Sequence, residues 1–195
     1  MNDFFNTLAE NFDLPILDWI SYNLWCPFLD LIMPYITLLG DAGIFWIALS
    51  LIMMFIPKYR KAGFKMGLAL ILGLLICNVT LKPLVARIRP YDYQFEKFGK
   101  EIALLISAQH DFSFPSGHTI ASFEAATAFF MSHKREGTAA LILASLIAFS
   151  RLYLYVHYPT DVIASIILGI LLAIVAHKII ENLYKYYEEK KNRLS

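Results

Sequence analysis

No Lys or Arg occurs before Lys58 in this chain of 195 residues. That absence argues against a cleavable secretory signal, which needs a cationic start. The opening residues are instead polar or acidic, among them Asn2, Asp3, Asn6 and Glu10, so insertion is expected to rest on the chain's own spanning segments. Cysteine is scarce: Cys26 and Cys77 sit in apolar surroundings with no metal or disulfide spacing, and read as buried, inert thiols. Charge is scarce as well, at 17% of residues, where a soluble domain carries about 25%. The hydrophobic share is 58% and the mean hydropathy +0.55, which together displace the chain toward the membrane. Low-complexity stretches and solenoid repeats are missing, so one domain over residues 1–195 is expected. The net charge of +1 is uninformative in total, unlike its distribution, and no nucleic-acid partner is expected.

Long apolar runs are what the chain has in abundance. They fall at 43–57, 64–82, 117–133, 137–155 and 161–180, each close to the roughly 20 residues that cross the hydrocarbon core as helix. A further stretch, 25–39, is short and interrupted by Asp30 and Pro34; it spans at a tilt or lies partly in the interface. The fold class is therefore all-α, a polytopic transmembrane bundle of about six spans with the first in doubt. Residues 3–22 alternate Phe, Leu and Ile with Asp, Asn and Glu, and the segment 1–24 reads as an interfacial amphipathic helix.

The cations assign sides. Lys58, Arg60, Lys61 and Lys65 form one loop cluster, and Lys134 with Arg135 another. Lys178, Lys185, Lys190, Lys191 and Arg193 lie toward the tail, of which 183–195 is expected in the cytoplasm. These groups fall at alternate ends of successive spans, which makes all of them cytoplasmic by the positive-inside rule. The loops at about 83–116 and 151–160 are then extracytoplasmic, in the cell membrane, with Lys97 and Lys100 offset by Asp92, Glu96 and Glu101.

Both of those loops carry chemistry. Lys82 and Arg89 are seven residues apart, two helical turns, so a helix puts both on one face, although Pro83 and Pro90 complicate this and Pro90 should end the helix. Arg87 lies off that face, where it can contact lipid headgroups. Snorkelling to the interface is the plain alternative for Lys82 and Arg89. Pro115-Ser116-Gly117-His118 precedes an apolar run: Ser116 is a candidate N-cap, Gly117 allows an anion close to the backbone, and helix-start amides bind phosphate. A simple turn and cap explains the same residues. Pro159 suits a first helical position, with His157 just before the helix and Asp161 in its first turn. A carboxylate so placed can hold one ring nitrogen of His157 and leave the other free as a nucleophile. An interfacial His–Asp cap is the alternative. Arg151 offers a planar fork suited to phosphate oxygens.

Taken in order, Lys-(six residues)-Arg-Pro, Pro-Ser-Gly-His and Ser-Arg-(five residues)-His-(three residues)-Asp resemble the signature of the type 2 phosphatidic acid phosphatase (PAP2) family, related to vanadium haloperoxidases, over about residues 40–180. The resemblance implies a metal-independent membrane phosphatase with a phosphohistidine intermediate and no cofactor. His157 attacks phosphorus, Asp161 orients it, and His118 protonates the leaving oxygen. Lys82, Arg89, Arg151 and the backbone at Ser116 and Gly117 hold the phosphoryl oxygens. The expected partners are membrane lipids and a lipid phosphate substrate, with the oligomeric state left open. Undecaprenyl diphosphate is favoured; phosphatidylglycerophosphate, phosphatidic acid and lipid A are rivals. A lipid-phosphate binder or transporter, or a phosphotransferase, is the alternative of another class.

Some residues stand outside the motifs. Glu124 lies six residues beyond His118 in an apolar span, where it is neutral, pairs with Asn78 or another polar group, or faces the site; a structural hydrogen bond is the expectation. His110 and Asp111 can shape headgroup entry. His133 and His177 look interfacial. Tyr153, Tyr155 and Tyr158, like Trp19, Tyr22 and Trp25, read as an aromatic belt.

Overall fold

The computed structural model describes residues 2–194, and every regular element among them is helical. Helix α1 (Asn2–Leu8), a π-helical stretch (Ala9–Asp13) and α2 (Leu14–Leu24) run on as one rod, because Leu8 and Leu14 keep right-handed helical dihedrals. One side of this rod buries Ala9, Asp13, Leu14, Leu17 and Ile20, while Phe12, Trp19 and Tyr22 remain exposed.

Helix α3 (Pro27–Leu38) opens on Pro27 and leads through a 3-10 turn (Asp41–Gly43) to α4 (Ile44–Phe55). Ala42 and Gly43 adopt left-handed dihedrals at that turn, with φ of 49° and 67°. Helix α5 (Arg60–Gly73) continues through a second π-helical stretch (Leu74–Leu81) into α6 (Lys82–Val85), and the chain turns off at Ala86 with φ of 50°. Pro90 does not end a helix, as the sequence pattern suggests; it opens α7 (Pro90–Phe98). A first turn has no use for the N–H that proline lacks. Helices α8 (Gly117–Ser132), α9 (Lys134–Tyr153) and α10 (Pro159–Leu194) complete the chain.

Helix α8 is the axis of the bundle. Ala125, Ala126 and Ala128 are fully buried, and these small side chains let α5, α9 and α10 close around it. Helix α10 divides its faces by helical period: Ile163, Ile167, Leu171 and Val175 are exposed, whereas Val162, Leu172, Ala173 and Ala176 face inward. An outward stripe so apolar suits lipid rather than water.

Three helical stretches among the described residues are long and apolar enough to cross a membrane: 60–98, 134–153 and 159–193. A fourth arises if α3 and the 41–55 segment, bent by 41°, count as one. Length and composition do not confirm the count of about six. The runs 25–39 and 43–57 belong to that single bent pair, and α8, at 16 residues, is only about 24 Å long.

Cations gather at one end. Lys61 and Lys65 both pair with Glu181 at 2.7 Å, and Lys58 pairs with Glu136 at 3.5 Å. Lys65 is a buried residue of α5 rather than a loop cation. At the other end, Tyr153, Tyr155 and Tyr158 form no belt: all three are at most 1% exposed. Polar partners explain the difference, since Tyr153 donates to Asp30 at 2.6 Å, and Tyr155 donates to Asp18 and accepts from Gln94, both at 2.9 Å.

Candidate active site

The end opposite the cation cluster collects the start of α8, the last turn of α9, the first turn of α10, segment 86–89, loop 99–116 and the α3–α4 break. Lys82, Arg89, Gly117, His118, Arg151 and His157 line one cavity there, of about 800 Å³. Ser116 and Asp161 lie buried behind it. The cavity continues between α4, α5 and α8 along Ile47, Leu51, Ile71 and Leu74, so a polar chamber opens into an apolar groove.

Lys82 and Arg89 meet without sharing a helix face. Helix α6 ends at Val85, and Arg89 is extended at φ −78°, ψ 154°. Both cations converge on Asp111: Arg89 Nη2 donates to Oδ1 at 2.5 Å and Lys82 Nζ donates to Oδ2. The Val156 and Asp111 carbonyls fix the rest of the Arg89 fork at 2.7 and 2.9 Å. Partial burial pushes the Asp111 carboxyl up, but hydrogen bonds and charge from Lys82 and Arg89 outweigh it and hold the group well below the usual carboxylate range.

Arg151, 1% exposed, donates from Nη1 to Thr37 Oγ1 at 2.5 Å. Its Nε and Nη2 have no hydrogen-bond partner in the protein. Buried guanidinium donors are ordinarily all satisfied, so two orphans in a cavity wall mark a place for an anion.

Ser116 caps α8, its Oγ accepting from Thr119 N at 3.5 Å. The Ser116 amide donates to Ser165 Oγ at 2.9 Å, so that donor is committed and cannot also hold phosphate. The helix start itself falls at Gly117 and His118. The His118 Nε2 lies 2.6 Å from Asp41 Oδ1 and 3.2 Å from Arg151 Nη1.

His157 is 1% exposed, with Nε2 at 3.3 Å from Arg89 Nη1 on the cavity side. On its other side Nδ1 stands 3.7 Å from Asp161 Oδ2, beyond direct hydrogen bonding, and 3.4 Å from Ser113 Oγ. Ser113 donates to that same Oδ2 at 2.5 Å and the Tyr158 amide at 3.1 Å. Burial first, and then the positive charges of Arg89, Arg151 and Lys82, push the His157 imidazolium well below its ordinary range, which keeps the ring neutral.

Arg87 does not reach lipid headgroups. It is 5% exposed, its Nη1 donating to Asp161 Oδ1 at 2.6 Å and its Nη2 to Asp13 Oδ2 at 2.7 Å. The left-handed turn at Ala86 is what swings it inward. Glu124 makes no bond to Asn78, and its buried Oε2 lacks any partner.

Sequence reasoning missed Asp13, Thr37, Asp41, Ser113 and Ser165. Asp41 carries one faint signal, an acid between Gly40 and Gly43 next to an apolar run. Asp13 carries none, being one acid among several on an amphipathic segment.

One cavity in an apolar bundle thus gathers two histidines and three cations, groups whose chemistry suits binding of a phosphoryl group. Residues 62–185 match the family model of the PAP2 superfamily, and the chain belongs to that superfamily. Its relatives are phosphatases, hydrolases of phosphoric esters. An undecaprenyl-diphosphatase of Sulfolobus acidocaldarius is 29% identical over 81% of this chain and 73% of its own. Phosphatidylglycerophosphatase B of Bacillus subtilis is 31% identical over 75% of this chain and 72% of its own. The solved structure of Aquifex aeolicus LpxE superposes with a TM-score of 0.72 at 26% identity, covering 85% of this chain and 94% of that one.

Proposed function

We propose that this protein hydrolyses a phosphomonoester or diphosphate of a lipid at the extracytoplasmic face of the cell membrane, through a phosphohistidine intermediate, with undecaprenyl diphosphate as the favoured substrate. The observation that carries this reading is Arg151, buried with two unpartnered donors in the wall of a cavity it shares with Lys82, Arg89, His118 and His157.

Bound there, the phosphoryl group lies among three cations and the positive end of α8, which stabilise its charge. His157 Nε2 attacks phosphorus, supported across Nδ1 by Ser113 and Asp161. The bond to the leaving oxygen breaks, and that oxygen takes a proton from His118. Water then attacks the phosphohistidine, gives a proton to His118, and inorganic phosphate departs.

The apolar groove supports a lipid as the leaving group. A prenyl diphosphate is favoured over phosphatidylglycerophosphate, phosphatidic acid or lipid A by the first relative described above. Five crossings are our reading of the topology: the bent α3–α4 pair, α5, α8, α9 and α10. Each crossing runs between the end that carries the site and the end that carries the Lys61–Lys65–Glu181 cluster, which puts the two on opposite faces, with the cations in the cytoplasm.

The test is phosphate release by purified protein in detergent with EDTA, across those four lipids, beside His157→Ala. Release that the substitution abolishes supports the enzyme, and the ranking of rates names the substrate. No release from any lipid sinks the reading in favour of a binder or phosphotransferase.

A further inference from the structure

Asp13, Arg87 and Asp161 form a buried relay behind His157. Asp13 and Asp161 are both 0% exposed, and the Arg87 guanidinium lies between them with its Cζ 3.7 Å from the Tyr158 ring centroid. Asp13 also accepts the Thr160 amide at 2.9 Å and the Thr160 hydroxyl at 2.8 Å. It therefore pins both Arg87 and the residue next to Asp161. Arg87 in turn occupies Asp161 Oδ1, which leaves Oδ2 to face His157 alongside Ser113 and the Tyr158 amide.

We infer that Arg87 and Asp13 are positioning residues of the hydrolysis: Asp13, reaching in from the amino-terminal helix, locks Arg87 onto Asp161, and Arg87 sets the orientation of the carboxylate that supports His157. The inference rests on His157 being the nucleophile. Charge explains why two acids are needed. Arg87 and Asp161 alone sum to zero and give little support to an imidazolium forming on His157. With Asp13 the three carry one net negative charge, and attack on phosphorus develops its positive charge beside it. A buried arginine between two acids is an expensive way to pack helices, and the position of its fork against a proposed catalytic carboxylate gives it a use.

Steady-state kinetics of the full chain in detergent, with a lipid diphosphate as substrate, test this. Arg87→Ala and Asp13→Asn should each lower kcat roughly 10- to 100-fold, the scale of a displaced catalytic group, with KM little changed. Millimolar guanidinium should restore kcat in Arg87→Ala and do nothing for His157→Ala. Normal kcat in both variants, with only a lowered melting temperature, overturns the inference and leaves a packing contact. Where Arg87→Ala does not fold, Asp13→Asn decides, since it keeps size while removing the charge and turning one accepting oxygen into a donor: normal turnover there overturns the inference. Activity retained by His157→Ala defeats the underlying nucleophile reading instead, so the two failures are told apart.

Discussion

Gly40 stands so close to His118 that a methyl on its α-carbon would lie 2.7 Å from the ring Cδ2 and 2.9 Å from Ile147 Cγ2. The glycine at the α3–α4 break is thus the wall against which the imidazole rests, with Asp41 holding Nε2 from the same turn. Gly40→Ala should displace the ring and lower kcat by roughly 10-fold or more, while the bundle keeps its helical content. Steady-state rates beside far-ultraviolet dichroism check this; full activity in the variant rejects the role given to the wall.

Asp111 occupies Lys82 and Arg89, the cations proposed to bind phosphate, with both its oxygens, yet its side chain is 53% exposed. An entering phosphoryl group must compete with it for Lys82 and Arg89. Asp111→Asn should weaken that competitor, lowering KM and the inhibition constant for vanadate or phosphate several-fold. Inhibition titrations of the two proteins decide; weaker anion binding in the variant would show that Asp111 assists the site rather than opposes it.

The depressed pKa of His157 has consequences for pH dependence. Its ordinary value is 6.5, and the folded value lies well below. The ring is therefore already neutral and nucleophilic where a free imidazole would be half protonated. The acid limb of kcat/KM that belongs to this group should fall below pH 6.5, once substrate ionisation is accounted for. Stability follows the same sign: the unfolded chain binds the extra proton, so stability is lost as pH drops below 6.5 toward the folded value. Melting temperatures from pH 7 to pH 5 should fall more for the natural protein than for His157→Gln, and equal slopes would contradict the assignment.

If Lys82, Arg89 and Arg151 supply the charge stabilisation, as proposed, turnover should survive EDTA. Vanadate should inhibit as a five-coordinate phosphoryl mimic. Abolition by EDTA with restoration by Mg²⁺, or indifference to high vanadate, argues against the proposed chemistry.

Several features were legible in the residues because bilayer physics leaves them few alternatives. Apolar runs announced helices, and Pro159 and Ser116 stand where a first helical position and a cap were read. Lys82, Arg89, His118, Arg151, His157 and Asp161 do come together. Pattern failed where a residue's fate depended on the turn beside it. Arg87 has the charge and neighbours of a headgroup contact, but the left-handed residue before it points the side chain inward. The tyrosines around His157 have belt chemistry and are buried by partners far away in the chain, Asp18, Asp30 and Gln94.

By itself, then, the sequence determined a membrane-embedded helical protein with two histidines, an aspartate and three cations in motif order. Those choices follow from the cost of charge near lipid and from the chemistry of phosphate, both local properties of residue type and spacing. Only the tertiary structure decided that 25–39 and 43–57 form one bent pair, that Asp41 and Gly40 frame His118, and that Asp13 stands behind Asp161. Such bends and contacts, which join residues 77 apart at Asp41 and His118 and 147 apart at Asp13 and Thr160, leave no periodicity for a reader to find, because they are set by how helices pack and where the chain turns.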